Sequence, residues 1–562
     1  MKHKFLTTAV LLVVLSAGTA AWAGQPADRT EFLEVKCYNG IFVGGQTPET
    51  GVVAFKGIPY AKQPVGKLRW QAPRPPEYSA KRFWAQEYGN MPLQNLVSYN
   101  VGLTDKLQVG EDCLNLNVWT ADLKTKQKPV MVYIHGGGYG WEAASFPIYD
   151  LQYLVKDNPD IVAVSIDYRQ NSLGFLDLSK VPDGKVYKSK DFRDAPYLGV
   201  LDTVAALKWV KENIAEFGGD PTNVTIFGES AGGGLVSAML VNKDAKGLFR
   251  RAIVQSGACN LFMAQPMLDR VNQTEALLRA TGAKNMDDLM ALKPETIMEA
   301  WKMPADRAGV SGLRSVENLN HYPLRGGDSP IPDDPLAALA EGAAKNVDLM
   351  IGTVADEWLY WIPLMGQPTM AENVRMLDRV TRAKEADFRQ GRSFTKQALI
   401  DRYLRIARSR HDEWEEQYPG FWERMELVND VMFRLPSIKM LEAHSQAKGL
   451  GRTYGYYFAK PGMLDGKYWG AFHSSELPYV FNNKGCEMYG GVNAKLAGKL
   501  SRLWTNFART GDPTMRGVTW KEYDSRKRAT LMIDAGGDIY TEYDPLSQQR
   551  QLLDEYGLYY LE

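Results

Sequence analysis

The chain has 562 residues, and its 66 Lys plus Arg balance 66 Asp plus Glu, for a formal charge of zero at pH 7. That balance provides no basic surplus to neutralise a phosphate backbone and argues against a nucleic-acid partner. Neither C-x-x-C nor H-E-x-x-H occurs, so no metal and no cofactor are expected. No linker, charge block or internal repeat divides the chain, and a single domain is expected over residues 24–562 despite the length.

In chain order, Met1-Lys-His-Lys4, an apolar run to Ala17 and the small-x-small triplet Ala21-Trp-Ala23 form the three regions of a cleavable signal peptide over residues 1–23. Cleavage near Ala23-Gly24 would send the protein to the periplasm or the medium, and no later run is long and apolar enough to predict a membrane anchor. Pro129-Val-Met-Val-Tyr-Ile134 reads as a buried strand emptying into His135-Gly136-Gly137-Gly138-Tyr139-Gly140-Trp141. Glycines let backbone amides approach a ligand, so Gly137 and Gly138 are candidate oxyanion donors. A phosphate loop or dinucleotide fingerprint would need residues that are missing here. The basic segment Lys180 to Lys190 reads as a surface loop.

The strongest signal is Asn223-Val-Thr-Ile-Phe-Gly228-Glu229-Ser230-Ala231-Gly232, an apolar strand entering G-x-S-x-G and then a small-residue helix start. This is the context of a serine nucleophile elbow, in which Gly228 and Gly232 occupy places where side chains would collide and the Ala231 N–H joins the oxyanion donors. The strand Val347-Asp-Leu-Met-Ile-Gly-Thr353 ends in Asp356-Glu357, either of which could orient a histidine, with Glu357 preferred and Asp356 as the alternative. Residues 282–324 and 367–446 read as helical excursions that cap a sheet. Of six histidines, His411 and His444 lie in segments that read as solvated helix faces, whereas His473 sits in the aromatic-walled loop Tyr468-Trp-Gly-Ala-Phe-His473-Ser-Ser-Glu476 and is taken as the base.

Together with Phe55-Lys-Gly-Ile-Pro-Tyr-Ala61, Pro64-Val-Gly-Lys-Leu-Arg-Trp70, Glu111-Asp-Cys-Leu-Asn-Leu-Asn-Val118, Phe217-Gly-Gly-Asp-Pro221, Gln255-Ser-Gly257 and Trp504-Thr-Asn-Phe-Ala-Arg-Thr-Gly-Asp-Pro513, these blocks resemble the type-B carboxylesterase family of α/β-hydrolases over nearly all of the mature chain. The resemblance implies an α/β-hydrolase fold, a mostly parallel sheet flanked by helices with helical insertions over the active site, and supports Glu357 as the acid. Two departures stand out: Trp358 follows the Asp-Glu pair where the family usually has Gly, and Tyr197-Leu-Gly-Val-Leu-Asp202-Thr203 replaces the usual Asn-x-Gly-Leu-x-Asp-Gln. In the family, the Cys of the Glu-Asp-Cys block bonds an upstream Cys. The usual upstream position, within Gly89-Asn-Met-Pro-Leu-Gln94, lacks one here, so the resemblance implies a Cys37–Cys113 bridge.

The reading is therefore an exported serine carboxylic ester hydrolase working through an acyl-enzyme on a small-molecule ester. Alternatives are an amidase or lipase with the same residues, or a non-catalytic adhesion protein on the same scaffold. Tyr139, Trp141, Trp358, Tyr360, Trp361, Tyr468 and Trp469 flank the catalytic loops, either as pocket walls or as core, and as walls they would favour short-acyl or aromatic esters.

Overall fold

A computed structural model of the chain describes residues 33–94, 108–182, 192–258, 265–266, 271–300, 324–361, 396–408, 410, 415–416, 419–464, 467–486 and 490–555. The expected signal peptide, most of the Lys180 to Lys190 segment and His411 lie outside them, as do large parts of both helical excursions. Thirteen strands form one sheet: β1 (Leu33–Cys37), β2 (Gly40–Gln46), β3 (Val53–Pro59), β4 (Ser79–Trp84), β5 (Asn115–Thr120), β6 (Lys128–Ile134), β7 (Val162–Ile166), β8 (Gly219–Glu229), β9 (Arg251–Gln255), β10 (Asp348–Val354), β11 (Thr453–Phe458), β12 (Ala529–Ile533) and β13 (Ile539–Tyr543). Their spatial order is β1-β2-β3-β5-β7-β6-β8-β9-β10-β11-β12-β13, with β4 on β2. The run from β7 to β12 is parallel, and the pairs outside it, β2–β4 apart, are antiparallel.

The central strands read as continuous apolar runs because both faces are covered. Alternation divides them: Met131, Tyr133, Phe227, Ile253 and Met350 enter one core, while Val130, Val132, Ile134, Ile226, Ala252 and Ile351 enter the other. Helix α1 (Leu198–Asn213) and helix α2 (Ala231–Val241) supply Leu207, Trp209, Leu235 and Val236 to the second core. Helix α3 (Leu435–Gln446) and helix α4 (Ala494–Thr510) follow in the last third of the chain. Leu496, Leu500, Leu503, Trp504 and Phe507 of α4 recur at helical spacing and fill the first core. Asn493 caps the start of α4 by accepting from the Leu496 N–H, and Gly511 ends it at φ 74°. The sequence block from Trp504 through Pro513 is thus a helix terminus.

Two other sequence blocks meet as a clamp. The Arg69 guanidinium is paired with Glu111 (2.7 Å) and donates to the carbonyl of Leu292 (2.8 Å), just beyond the helix Met286–Ala291. Asp202, retained in the departing block, pairs with Arg169 at 2.6 and 2.8 Å in the interior.

The expected Cys37–Cys113 bridge does not form, and both thiols are free and buried. Strands β2 and β3 stand between β1, which ends at Cys37, and β5, which Cys113 precedes. Each step across a sheet is about 4.8 Å, whereas a disulfide needs Cα atoms within roughly 7 Å. Burial, assisted by Glu216, pushes the Cys37 thiol up to about 12, and burial also raises Cys113 beside Asp167 and Asp202. Two protonated, unreactive thiols result.

His444 also departs from expectation. Its helix α3 packs against β10 and β11, so the imidazole is buried, with Nδ1 2.8 Å from Thr453 Oγ1 and Nε2 3.1 Å from the Val347 carbonyl. Burial holds it below the usual histidine range. It is a packing residue bridging strands rather than part of a wet face.

Candidate active site

Ser230 stands between β8 and α2 at φ 56° and ψ −124°, a conformation outside the ordinary allowed wells. The surroundings enforce it. A Cβ on Gly232 would lie 1.9 Å from the Ile134 carbonyl oxygen, and one on Gly228 would lie 2.5 Å from Gly232 C, so only glycine lets strand, turn and helix cross. The Ser230 N–H is tied to the Gln255 carbonyl at 2.9 Å. A helix N-terminus begins at Ala231, directly after the hydroxyl-bearing residue.

The glycine loop after β6 lies against this turn: a Cβ on Gly136 would be 3.2 Å from Ser230 Cβ. Gly137 and Gly138 have φ 85° and 57°, and the Gly137 carbonyl closes a turn by accepting from the N–H groups of Gly140 (2.9 Å) and Trp141 (3.0 Å). The segment following β7 templates the loop. Tyr168 Oη donates to the His135 carbonyl (3.0 Å), Asn171 Nδ2 to Gly140 (2.8 Å) and Gln170 Nε2 to Trp141 (3.1 Å), while Asp167 Oδ1 accepts from Ala144 N (2.8 Å). His135 is stacked on Tyr168 with ring centroids 4.6 Å apart and is driven down to about 3 by burial, so it remains neutral beneath the loop.

The loops that carry Asp356-Glu357 and His473 are laced together by the main chain. Asp356 N donates to the Ala471 carbonyl (2.8 Å), Ala471 N donates to Asp356 Oδ2 (2.8 Å), and His473 N donates to the Glu357 carbonyl (3.3 Å). That lacing sets Glu357 Oε2 2.5 Å from His473 Nδ1. Glu357 Oε1 accepts from Ser256 Oγ (2.6 Å) and Val354 N (3.0 Å), so the carboxylate is filled with donors and acts as an acceptor. Asp356 faces elsewhere, toward Arg410. On the other side of the ring, His473 Nε2 is 3.0 Å from Glu229 Oε1, which also accepts from Ser474 Oγ (2.8 Å). Burial opposes charge on His473, but Glu229 and Glu357 outweigh it and hold the imidazole well above the ordinary histidine range. Burial raises Glu357, with His473 drawing it back; the proton of the pair belongs to the imidazole, flanked by two acceptors.

The aromatic candidates divide. Tyr139 is fully buried and meets Phe175 edge-on at 5.4 Å, in the core behind the loop. Trp358 is also buried, and its backbone N–H donates to Asn429 Oδ1 (2.9 Å). Trp141 and Trp469 are half-buried, and the Trp361 side chain is outside the described residues. The rings beside His473 are Tyr360, one of the aromatics that follow the acid in sequence, at 6.1 Å, and Phe433, which the motifs do not include, at 5.3 Å. Phe433 sits in a π-helical turn, Asp430–Arg434, an irregularity common at functional sites that sequence periodicity does not announce. Glu229, Ser256 and Glu476 were also not assigned roles by sequence reasoning, although all three lie inside or beside its motifs; Glu476 Oε1 accepts from Gln255 Nε2 at 2.9 Å.

The model of the carboxylesterase family matches residues 31–550. The chain is similar to a para-nitrobenzyl esterase of Bacillus subtilis (strain 168), 33% identical over 518 residues and covering 90% of this chain and 96% of that one. It is also similar to carboxylesterase 1E of Mus musculus, 31% identical and covering 94% of each chain. A solved carboxylesterase of Geobacillus stearothermophilus superimposes with a TM-score of 0.75 at 29% identity, over 92% of this chain and 99% of that one. With its mostly parallel sheet in the α/β-hydrolase arrangement, the chain belongs to the carboxylesterase family and is a carboxylic ester hydrolase.

Proposed function

We propose that Ser230 is the nucleophile, His473 the base and Glu357 the orienting acid of an acyl-enzyme mechanism, with Gly137, Gly138 and Ala231 donating to the oxyanion. The observation that carries this reading is the 2.5 Å contact between Glu357 and His473 Nδ1, on a ring whose Nε2 is 3.0 Å from the carboxylate of Glu229, the residue before the strained Ser230 at the helix start. Glu357 fixes the tautomer, His473 Nε2 takes the Ser230 proton and returns it to the leaving alcohol, and water repeats the sequence on the acyl-enzyme. To act as base, the ring must be free of its proton and turn Nε2 from Glu229 toward Ser230. Phe433 and Tyr360 give the site apolar walls, which support a preference for short-acyl or aromatic esters over long-chain triglycerides. The signal-peptide composition supports export.

Ser230→Ala is expected to lower kcat on a para-nitrophenyl ester by about 10⁶; wild-type turnover in that variant would sink the assignment. A screen across acetyl, butyryl, octanoyl and benzoyl esters, a matched anilide and an emulsified triglyceride tests the substrate class. Greatest activity on the emulsion would make the protein a lipase, and on the anilide an amidase.

A further inference from the structure

Ser474 follows His473 directly and has no part in the mechanism above. Its backbone stands at φ 69°, in the left-handed region where a side chain is strained and glycine is at ease. Main-chain bonds hold the turn on both sides: His473 N donates to the Glu357 carbonyl (3.3 Å), and the Ser474 carbonyl accepts from Leu477 N (3.1 Å). The Ser474 side chain is buried, and its Oγ donates to Glu229 Oε1 at 2.8 Å. That same carboxylate oxygen lies 3.0 Å from His473 Nε2. One buried oxygen, on the residue that precedes Ser230, therefore faces two consecutive residues of the loop that carries the base. It also faces the ring nitrogen that has to receive the Ser230 proton. The other titratable groups around the pair are Glu357 and Tyr360 after β10, Glu142 beyond the glycine loop, Tyr133 of β6, Tyr456 of β11, and Glu476, whose Oε1 accepts from Gln255.

We propose that Ser474 is a positioning residue for the base: by donating its hydroxyl to Glu229 Oε1 it offsets the negative charge there, weakens the hold of Glu229 on His473 Nε2, and leaves that nitrogen free to turn to Ser230. The physical ground is competition at one acceptor. A carboxylate oxygen that already accepts a hydrogen bond attracts a second donor less, because the first donor's proton offsets part of its charge. Without the hydroxyl, Glu229 acts on the ring undiminished. The imidazolium is then favoured, and the base loses its proton at a higher pH. The buried setting matters, since water that could take the place of the hydroxyl is largely excluded there.

This inference rests on His473 being the base, and the Ser230→Ala result tests that reading separately. The test is the pH profile of kcat/KM on a neutral para-nitrophenyl ester for wild type, Ser474→Ala, Ser474→Gly, Glu229→Gln and the double variant Ser474→Ala/Glu229→Gln. Ser474→Ala removes the hydroxyl and keeps the strained backbone, whereas Ser474→Gly removes both, so an effect of the hydroxyl is common to the two. The midpoint of the acid limb is expected to rise by about half a pH unit in each, a fraction of what a full neighbouring charge contributes. In the Glu229→Gln background, Ser474→Ala is expected to leave the midpoint where it is. A second readout needs no turnover: the proton on His473 Nδ1, held 2.5 Å from Glu357, resonates downfield of the amides in proton NMR, and its titration is expected to move in the same direction. An unmoved or lowered midpoint in both Ser474 variants would overturn the proposal. So would a shift confined to Ser474→Gly, which would assign the effect to the backbone, or a shift that persists in the Glu229→Gln background. If Ser474→Ala failed to fold, Ser474→Gly carries the same prediction, and if Glu229→Gln turned over too slowly to profile, the Nδ1 proton resonance carries the comparison.

Discussion

Asp356 and Glu357 are neighbours, yet the chain turn at the end of β10 sends their carboxylates to different partners. Glu357 meets His473, whereas Asp356 meets Ala471 N and Arg410, whose guanidinium lies 4.2 Å from the Trp422 ring. In the proposed mechanism Glu357 aligns the base, whereas Asp356 ties the loops. Glu357→Gln is therefore expected to lower kcat by about 10⁴ with the fold intact, as removing the orienting carboxylate does in other serine hydrolases. It should also move the acid limb of kcat/KM downward from a wild-type midpoint above the ordinary histidine value, since Glu357 is one of the charges raising His473. Asp356→Asn is expected to keep far more of the rate while losing about 2 kcal/mol of stability, because a charged acceptor of two donors is weakened. Steady-state kinetics with urea unfolding on both variants checks this, and the reverse ordering of rates would transfer the acid role to Asp356.

At the scale of elements, glycines that look alike in the sequence do opposite things. Gly232 belongs to a crossing of β6, β8 and α2 in which an added methyl would overlap the Ile134 carbonyl. Gly232→Ala is expected to cost about 3 kcal/mol and to displace Ser230 from the oxyanion loop, with a rate loss of about 10² or more, the usual consequence of a misplacement near 1 Å. Gly498 sits on the exposed side of α4, with nothing within 4 Å of the place an added methyl would take. There Gly498→Ala is expected to stabilise by about 0.5–1 kcal/mol without altering kcat, since it lowers the entropy of the unfolded chain and suits the helix. Denaturant midpoints and turnover of the two variants, measured side by side, check the pair; a neutral Gly232→Ala would mean that the elbow is not held by this contact.

Across the whole molecule, buried titratable groups link stability to pH in opposing senses. Asp167 is raised to about 8 and Glu476 to about 8, both chiefly by burial, so each binds a proton more tightly folded than unfolded. Their contribution is fully present below the unfolded carboxyl range and is lost as the pH climbs through 8. His135, depressed to about 3, and His444, also depressed, contribute stability that is present above the unfolded histidine value and fades as the pH falls below it. Below the unfolded histidine value of about 6.5 the two trends oppose each other, and above it only the loss remains, so stability is expected to decline from about pH 6.5 to 8, with Asp167 alone accounting for roughly 1–2 kcal/mol. Asp167→Asn should flatten that decline, measured as Tm against pH; an unchanged slope would show that Asp167 is not the proton-binding group.

The parts of the site visible in the linear chain are those with local causes. The elbow around Ser230, the glycine loop after β6 and the strand leading to Asp356-Glu357 are each encoded in a few contiguous residues, because steric exclusion at a turn and the two-residue period of a strand act over short separations. His473 could be found because few histidines compete for the role and its loop matches a family segment. The remaining features depended on distant segments being brought together. Cys37 and Cys113 were separated by two intervening strands, His444 was covered by the packing of α3, and of the flanking aromatics Tyr139 and Trp358 were turned into the core while Tyr360 was set beside His473, where Phe433 joins it from a distant turn. Glu229 and Glu357 lie far apart in the chain, and their shared effect on one imidazole arises only when folding excludes water and lets their charges act across a few ångströms of low dielectric. Local sterics are written in sequence order; burial and through-space charge belong to the assembled fold.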